Sequence, residues 1–159
     1  MSHEIAHQWW GHMLVWRTPR DQWFSEAFAQ LSCAEYVKTA LGDNEYIAEM
    51  NWWEGLAKLY DDRGPIALGG YQLGDGYVGM IYYKAPYVMH QLKMTIGPEA
   101  FFKILNNWFK YKPFKPNTTE DFQFVLEKSL GEKQMMQLFG EKDMTWYFDQ
   151  WLYSTGIPL

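Results

Sequence analysis

Apolar residues recur at helical spacing along almost the whole of this chain, and no stretch alternates as a half-buried strand would. Glycine and proline fall between these stretches, where they stop and start helices. The pattern predicts a helix over residues 3–12 behind Ser2. A second is expected over 22–41, with Asp21 as N-cap and Gly42 as its stop. Asp43 is placed to cap a third over 44–60, which carries Tyr46, Ile47, Trp53, Leu56 and Leu59. An apolar helix over 80–96 ends at Gly97, and Pro98 opens the next, through Lys110. "TTED" (Thr118 to Asp121) resembles a capping box ahead of a helix that Gly131 ends, and a last helix is expected over 143–154. Between the third and fourth helices, the glycine-rich run from Asp61 to Gly79 reads as a long loop, of a length that usually carries function or disorder. The expected class is all-α, with residues 1–159 as one helical domain.

Composition narrows the partners. The net charge is −5, against a nucleic-acid partner, which needs a basic face. The nearest basic cluster, "FKYKPFKP" (Phe109 to Pro116), is broken by two prolines and reads as a solvated loop. Aromatics make up 19% of the residues, so large rings must pack together or line a groove. A single cysteine, Cys33, allows no internal disulfide and no cysteine-rich zinc finger, and reads as a small buried residue. No apolar run reaches membrane-spanning length and no signal peptide is visible, which leaves the compartment open.

The chain opens "MSHEIAHQWWG". His3 and His7 stand at i and i+4, so both imidazoles project from one helical face and can reach a single zinc ion. Glu4, one residue round the helix, can serve a water at that ion rather than the ion itself. A catalytic zinc takes three protein ligands and keeps a fourth position open. Glu26 follows His7 after eighteen residues, in "WFSEAFAQLSCAEY" on the second expected helix. Turn signals at Gly11 and over 18–20 let the chain reverse, so that two antiparallel helices face each other across the ion. His12 competes as third ligand, but lies five residues beyond His7 and off that face.

His-Glu-x-x-His, eighteen residues, then Glu in a "W-x-S-E-A-F-A" setting resembles the aminopeptidase N and leukotriene hydrolase-like family of gluzincin zinc metallopeptidases. "HEIAHQWWG" matches the extended form of the family's motif. "IYYKAPYVMHQL" resembles its Tyr-x-Lys-Gly block, "TTEDFQFVLEKSLG" a later helix, and "FDQWLYSTGIPL" the segment that closes the catalytic domain. The resemblance implies the helical C-terminal portion of a thermolysin-like catalytic domain. It implies zinc bound by His3, His7 and Glu26, Glu4 as general base on the attacking water, and Tyr82 as the hydroxyl that stabilises the oxyanion. Tyr83 is the rival for that last role. Ala85 and Pro86 depart from the family's Gly after Lys, with Pro86 expected either to kink the helix or to mark its start; Ala27 also replaces a glycine.

The family's β-rich parts and its Gly-x-Met-Glu-Asn motif, whose glutamate holds the substrate's free amine, do not occur in this sequence. The expectation is therefore a fragment of a metalloaminopeptidase, weakly active or inactive alone, with its first ligand in a loosely held first turn. Its partners would be a peptide substrate and the N-terminal part of the parent protein. Apolar surface left uncovered by that part predicts self-association. Related alternatives are a gluzincin endopeptidase or epoxide hydrolase, or a non-catalytic helical remnant.

Overall fold

A computed structural model describes residues 1–68, 74–140 and 144–157, with Asp75 by its backbone alone. Seven α-helices carry the fold: α1 (Ser2–Ala6), α2 (Trp23–Leu41), α3 (Asp43–Tyr60), α4 (Ala85–Ile96), α5 (Pro98–Tyr111), α6 (Thr119–Phe139) and α7 (Met144–Trp151). A π-helical segment (Gly79–Lys84) leads directly into α4. Part of the expected Asp61–Gly79 loop, residues 69–73, lies outside the described residues, as do residue 143 and the last two residues of the closing "IPL". The described part of that loop is built of single 3₁₀ turns, over Asp61–Arg63, Ile66–Leu68 and Gly74–Gly76.

The central element is α2. Its first half is apolar on nearly every side, and Trp23, Phe24, Ala27, Phe28, Ala29, Leu31 and Ala34 are all buried. A helix so composed must be surrounded, and α1, α3, the π segment and α4 all pack on it. The aromatic surplus gathers here. Trp108 of α5 and Phe122 of α6 lie 4.6 Å apart between ring centroids, and Phe24 and Trp108 lie 5.0 Å apart. Phe28 and Trp10 stack at 4.8 Å. Offset and edge-on pairs of this kind add about 0.5–1.5 kcal/mol each beyond area burial.

Most of the punctuation acts as expected. Gly42 (φ 105°), Gly97 (φ 88°) and Gly131 (φ 73°) take left-handed conformations at helix breaks, the last as a kink within α6. Thr118 and Asp121 form a reciprocal capping box, each side chain accepting from the other's backbone N–H at 3.0–3.1 Å. Asp43 begins α3 behind Gly42 instead of capping it, and several further expectations differ. The first helix stops at Ala6 rather than residue 12, because the His7 ring bonds the Trp10 carbonyl (2.8 Å) and Gly11 turns at φ 110°. A Cβ at Gly11 would stand 2.7 Å from Ser25 Oγ, so the close return of the chain onto α2 requires glycine.

The second difference concerns Asp21, which does not cap α2. Its Oδ2 accepts from Thr18 N and Oγ1, and its Oδ1 from Thr119 N and Oγ1, tying the turn before α2 to the start of α6. Third, a two-residue parallel ladder pairs β1 (Val15–Trp16) with β2 (Pro116–Asn117), too short to leave an alternating pattern. Cys33 is half-buried rather than buried, its Sγ 2.8 Å from Ser2 Oγ.

Candidate metal centre

His3 and His7 stand on consecutive turns, since His7 keeps helical φ and ψ at the C-cap of α1. Their Nε2 atoms lie 3.1 Å apart. Glu26, in the first turn of α2, brings Oε2 to 3.3 Å from His3 Nε2 and 3.4 Å from His7 Nε2. The two helices thus close a triangle of ligand atoms, as the spacing required.

Hydrogen bonds behind the rings decide which atoms face it. His3 Nδ1 bonds Gln30 Oε1 at 2.8 Å, and His7 Nδ1 bonds the Trp10 carbonyl at 2.8 Å. A carbonyl oxygen only accepts, so each Nδ1 carries a proton, and in the neutral ring each Nε2 then presents a bare lone pair. Glu26 Oε2 is buried with no hydrogen-bond partner. Three lone-pair atoms thus converge with no donor between them, an arrangement that calls for a cation. Tetrahedral zinc with bonds of about 2.0–2.1 Å would set its ligand atoms ~3.3 Å apart. The three edges of the triangle fit that figure, and the donor set of two imidazoles and one carboxylate suits zinc.

Tyr82, in the π segment, stacks over the His3 ring at 5.8 Å between centroids. Burial, then the charge and hydrogen bond of Glu26, raise its phenol pKa and keep the hydroxyl protonated. Tyr83 turns away and packs edge-on against Trp52 at 5.0 Å. Glu4 is exposed beside the triangle and contributes to the field at Tyr82. His12 does not join the cluster: it is exposed, and its Nδ1 bonds the His7 carbonyl at 2.6 Å.

Two supporting side chains escaped sequence reasoning. Lys84 is fully buried and bonds Asp61 Oδ1 at 2.6 Å; burial lowers its ammonium pKa, and Asp61 opposes that shift. Asp61 Oδ1 also accepts from Gly156 N at 2.7 Å, so one carboxylate anchors the π segment to the chain's last described turn. Gln30 is the other, one helical turn past Glu26. That spacing was visible, but nothing in it names the ring that the amide meets.

The model of the "Peptidase family M1 domain" matches residues 1–151. The chain belongs to peptidase family M1. Aminopeptidase N of Streptomyces lividans is 27% identical over 98% of this chain and 18% of its own length. Aminopeptidase N of Lactococcus lactis subsp. lactis is 26% identical over 100% of the chain and 19% of its own. An M1 zinc metallopeptidase of Deinococcus radiodurans, solved as a variant with a Tyr-Ser-Ala substrate, shares the fold at TM-score 0.78 and 19% identity. That match covers 99% of this chain and 33% of that one. This M1 chain therefore spans about a fifth of the length of these curated relatives. Its helical architecture agrees with the helical C-terminal part of the M1 catalytic domain.

Proposed function

We propose that this M1 chain forms, as one helical domain over residues 1–159, part of the catalytic domain of a zinc metalloaminopeptidase. In this reading His3, His7 and Glu26 hold one zinc ion. The observation that carries it is the triangle of 3.1, 3.3 and 3.4 Å between three lone-pair atoms, one of them a buried carboxylate oxygen without a hydrogen-bond partner. Zinc, when bound, polarises the scissile carbonyl and acidifies the attacking water. Glu4, exposed next to His3, takes the proton of that water and passes it to the leaving amine. The Tyr82 hydroxyl, kept protonated by burial and by Glu26, donates to the carbonyl oxygen as negative charge grows there.

Cleavage next to a free N-terminus is the activity that the names of the relatives support. The partners proposed with it are a peptide substrate and further parts of a longer parent protein. Exposed Ile5, Trp9, Tyr36 and Phe102 border one open apolar groove, and uncovered they favour self-association. Among the described residues no helix is long and apolar enough to cross a membrane.

The deciding experiment is elemental analysis of the purified chain beside a Glu26→Ala control. One zinc per chain, lost in the control, is the expected result. A chain that takes up no zinc on reconstitution would be a non-catalytic remnant of the family. Cleavage of N-acetylated peptides as readily as of free ones would turn the reading towards an endopeptidase. Hydrolysis by the 159-residue chain alone is expected to be weak or absent.

A further inference from the structure

The Gln30 amide makes two bonds that point in different directions. Its Oε1 accepts from the Nδ1–H of His3 at 2.8 Å, and its Nε2 reaches the backbone carbonyl of Tyr82 at 3.4 Å. The amide's orientation is fixed by chemistry, because the Tyr82 carbonyl can only accept. In an α-helix that carbonyl would be served by the N–H four residues on, but that residue is Pro86, which has none. The turn before the proline is wide, with Ala85 N bonding Met80 O five residues back. Gln30 thus donates to a carbonyl that cannot take its ordinary α-helical bond.

Resting on the zinc reading above, we propose that Gln30 is a positioning residue that couples the ligand His3 to the segment carrying Tyr82. One planar amide holds the imidazole in the tautomer that presents Nε2, and sets the distance from that ring to the backbone of the tyrosine. No other side chain of this length does both: glutamate accepts but cannot donate, and leucine does neither. His7 differs: its Nδ1 bonds the backbone carbonyl of Trp10 at 2.8 Å, and the Ser25 hydroxyl stands farther off, at 3.5 Å. Of the two rings, His3 is the one whose shortest Nδ1 bond is to a side chain.

The test uses the full chain and the variants Q30L and Q30E. In metal-free protein at pH 8, long-range ¹H–¹⁵N NMR is expected to find His3 protonated on Nδ1 in the native chain, and in Q30E, where a carboxylate accepts the same proton. Q30L is expected to show a mixture with the Nε2–H form. Zinc affinity, read by chelator competition, should fall about 10–100-fold in Q30L and stay close to native in Q30E. Amide hydrogen exchange over residues 79–85 should quicken in both variants, because neither donates to Tyr82. Retained affinity in Q30E separates the effect from simple misfolding. An unchanged His3 tautomer and unchanged zinc affinity in Q30L would overturn the proposal. A native chain that binds no zinc would instead sink the metal reading, and the tautomer and exchange data would still decide what Gln30 does.

Discussion

At the scale of single residues, the site divides into what spacing announces and what only folding reveals. His3, His7 and Glu26 were legible because i, i+4 geometry and an eighteen-residue return leave few other arrangements. Gln30 was not, since a glutamine on a helix has many polar groups in reach and sequence does not rank them. Removal of the Tyr82 hydroxyl, as Tyr82→Phe introduced in the longer parent protein, is expected to lower peptide hydrolysis about 10²–10³-fold with zinc content unchanged, as for other lost oxyanion donors. His90 offers a second test, away from the site. Burial, and next the Lys93 ammonium, push its imidazole down to about 4; Glu35 opposes this and Lys38 adds to it. It lies 3.0 Å from the Tyr46 hydroxyl, which Lys93 and Glu35 also bond, and Tyr87 packs on its ring. The folded value lies below the ordinary one of about 6.5, so the unfolded chain binds the extra proton first. The contribution of neutral His90 is full above about pH 6.5 and is lost as pH falls towards 4. Urea midpoints measured from pH 7.5 to 4.5 should fall for the native chain, and less steeply for His90→Gln.

Elements were read well where they are punctuated and poorly where they are not. The capping box at Thr118 and the breaks at Gly42, Gly97 and Gly131 come from local chemistry that needs no tertiary partner. Thr118→Ala should therefore destabilise by about 1 kcal/mol in denaturant titration. The early end of α1 depends on the close approach of Gly11 to Ser25, a tertiary fact, and on a local bond from the His7 ring to the Trp10 carbonyl that no periodicity marks. The π segment is harder still, since a turn with one extra residue barely disturbs helical periodicity. Its start is fixed by packing, because a Cβ on Gly79 would fall within the Tyr60 ring of α3. Gly79→Ala should cost about 1–3 kcal/mol by overpacking. In the longer parent protein it should also reduce hydrolysis by more than its stability effect explains, because the strain falls on the segment that carries Tyr82.

Across the whole molecule, distant parts of the chain are fastened by a few buried polar groups around an aromatic centre. Asp21 is the main one, buried and accepting four bonds that join the turn at Thr18 to Thr119, which lies ninety-eight residues on from Asp21. Trp23 Nε1 donates to the same Thr119 hydroxyl at 3.0 Å. Asp21→Ala would strand two buried donors and is expected to destabilise by about 3 kcal/mol, lowering Tm by roughly 6–12 °C in a thermal melt. No sequence pattern announces such a fastening, because it joins two loops with no shared periodicity.

The wide turn before Pro86 has a consequence for changes in chain length. A protein one residue shorter between Tyr82 and Pro86 could close the same span as ordinary α-helix, leaving α4 and the core where they are. Tyr82 would then keep its place over the His3 ring, because the wide turn holds one residue more than an α-helix needs for the same rise. A residue added here has no such slack to take up, and would swing Tyr82 by about 100° round the axis. The proposed chemistry should therefore survive a single-codon deletion in this turn better than a single-codon insertion.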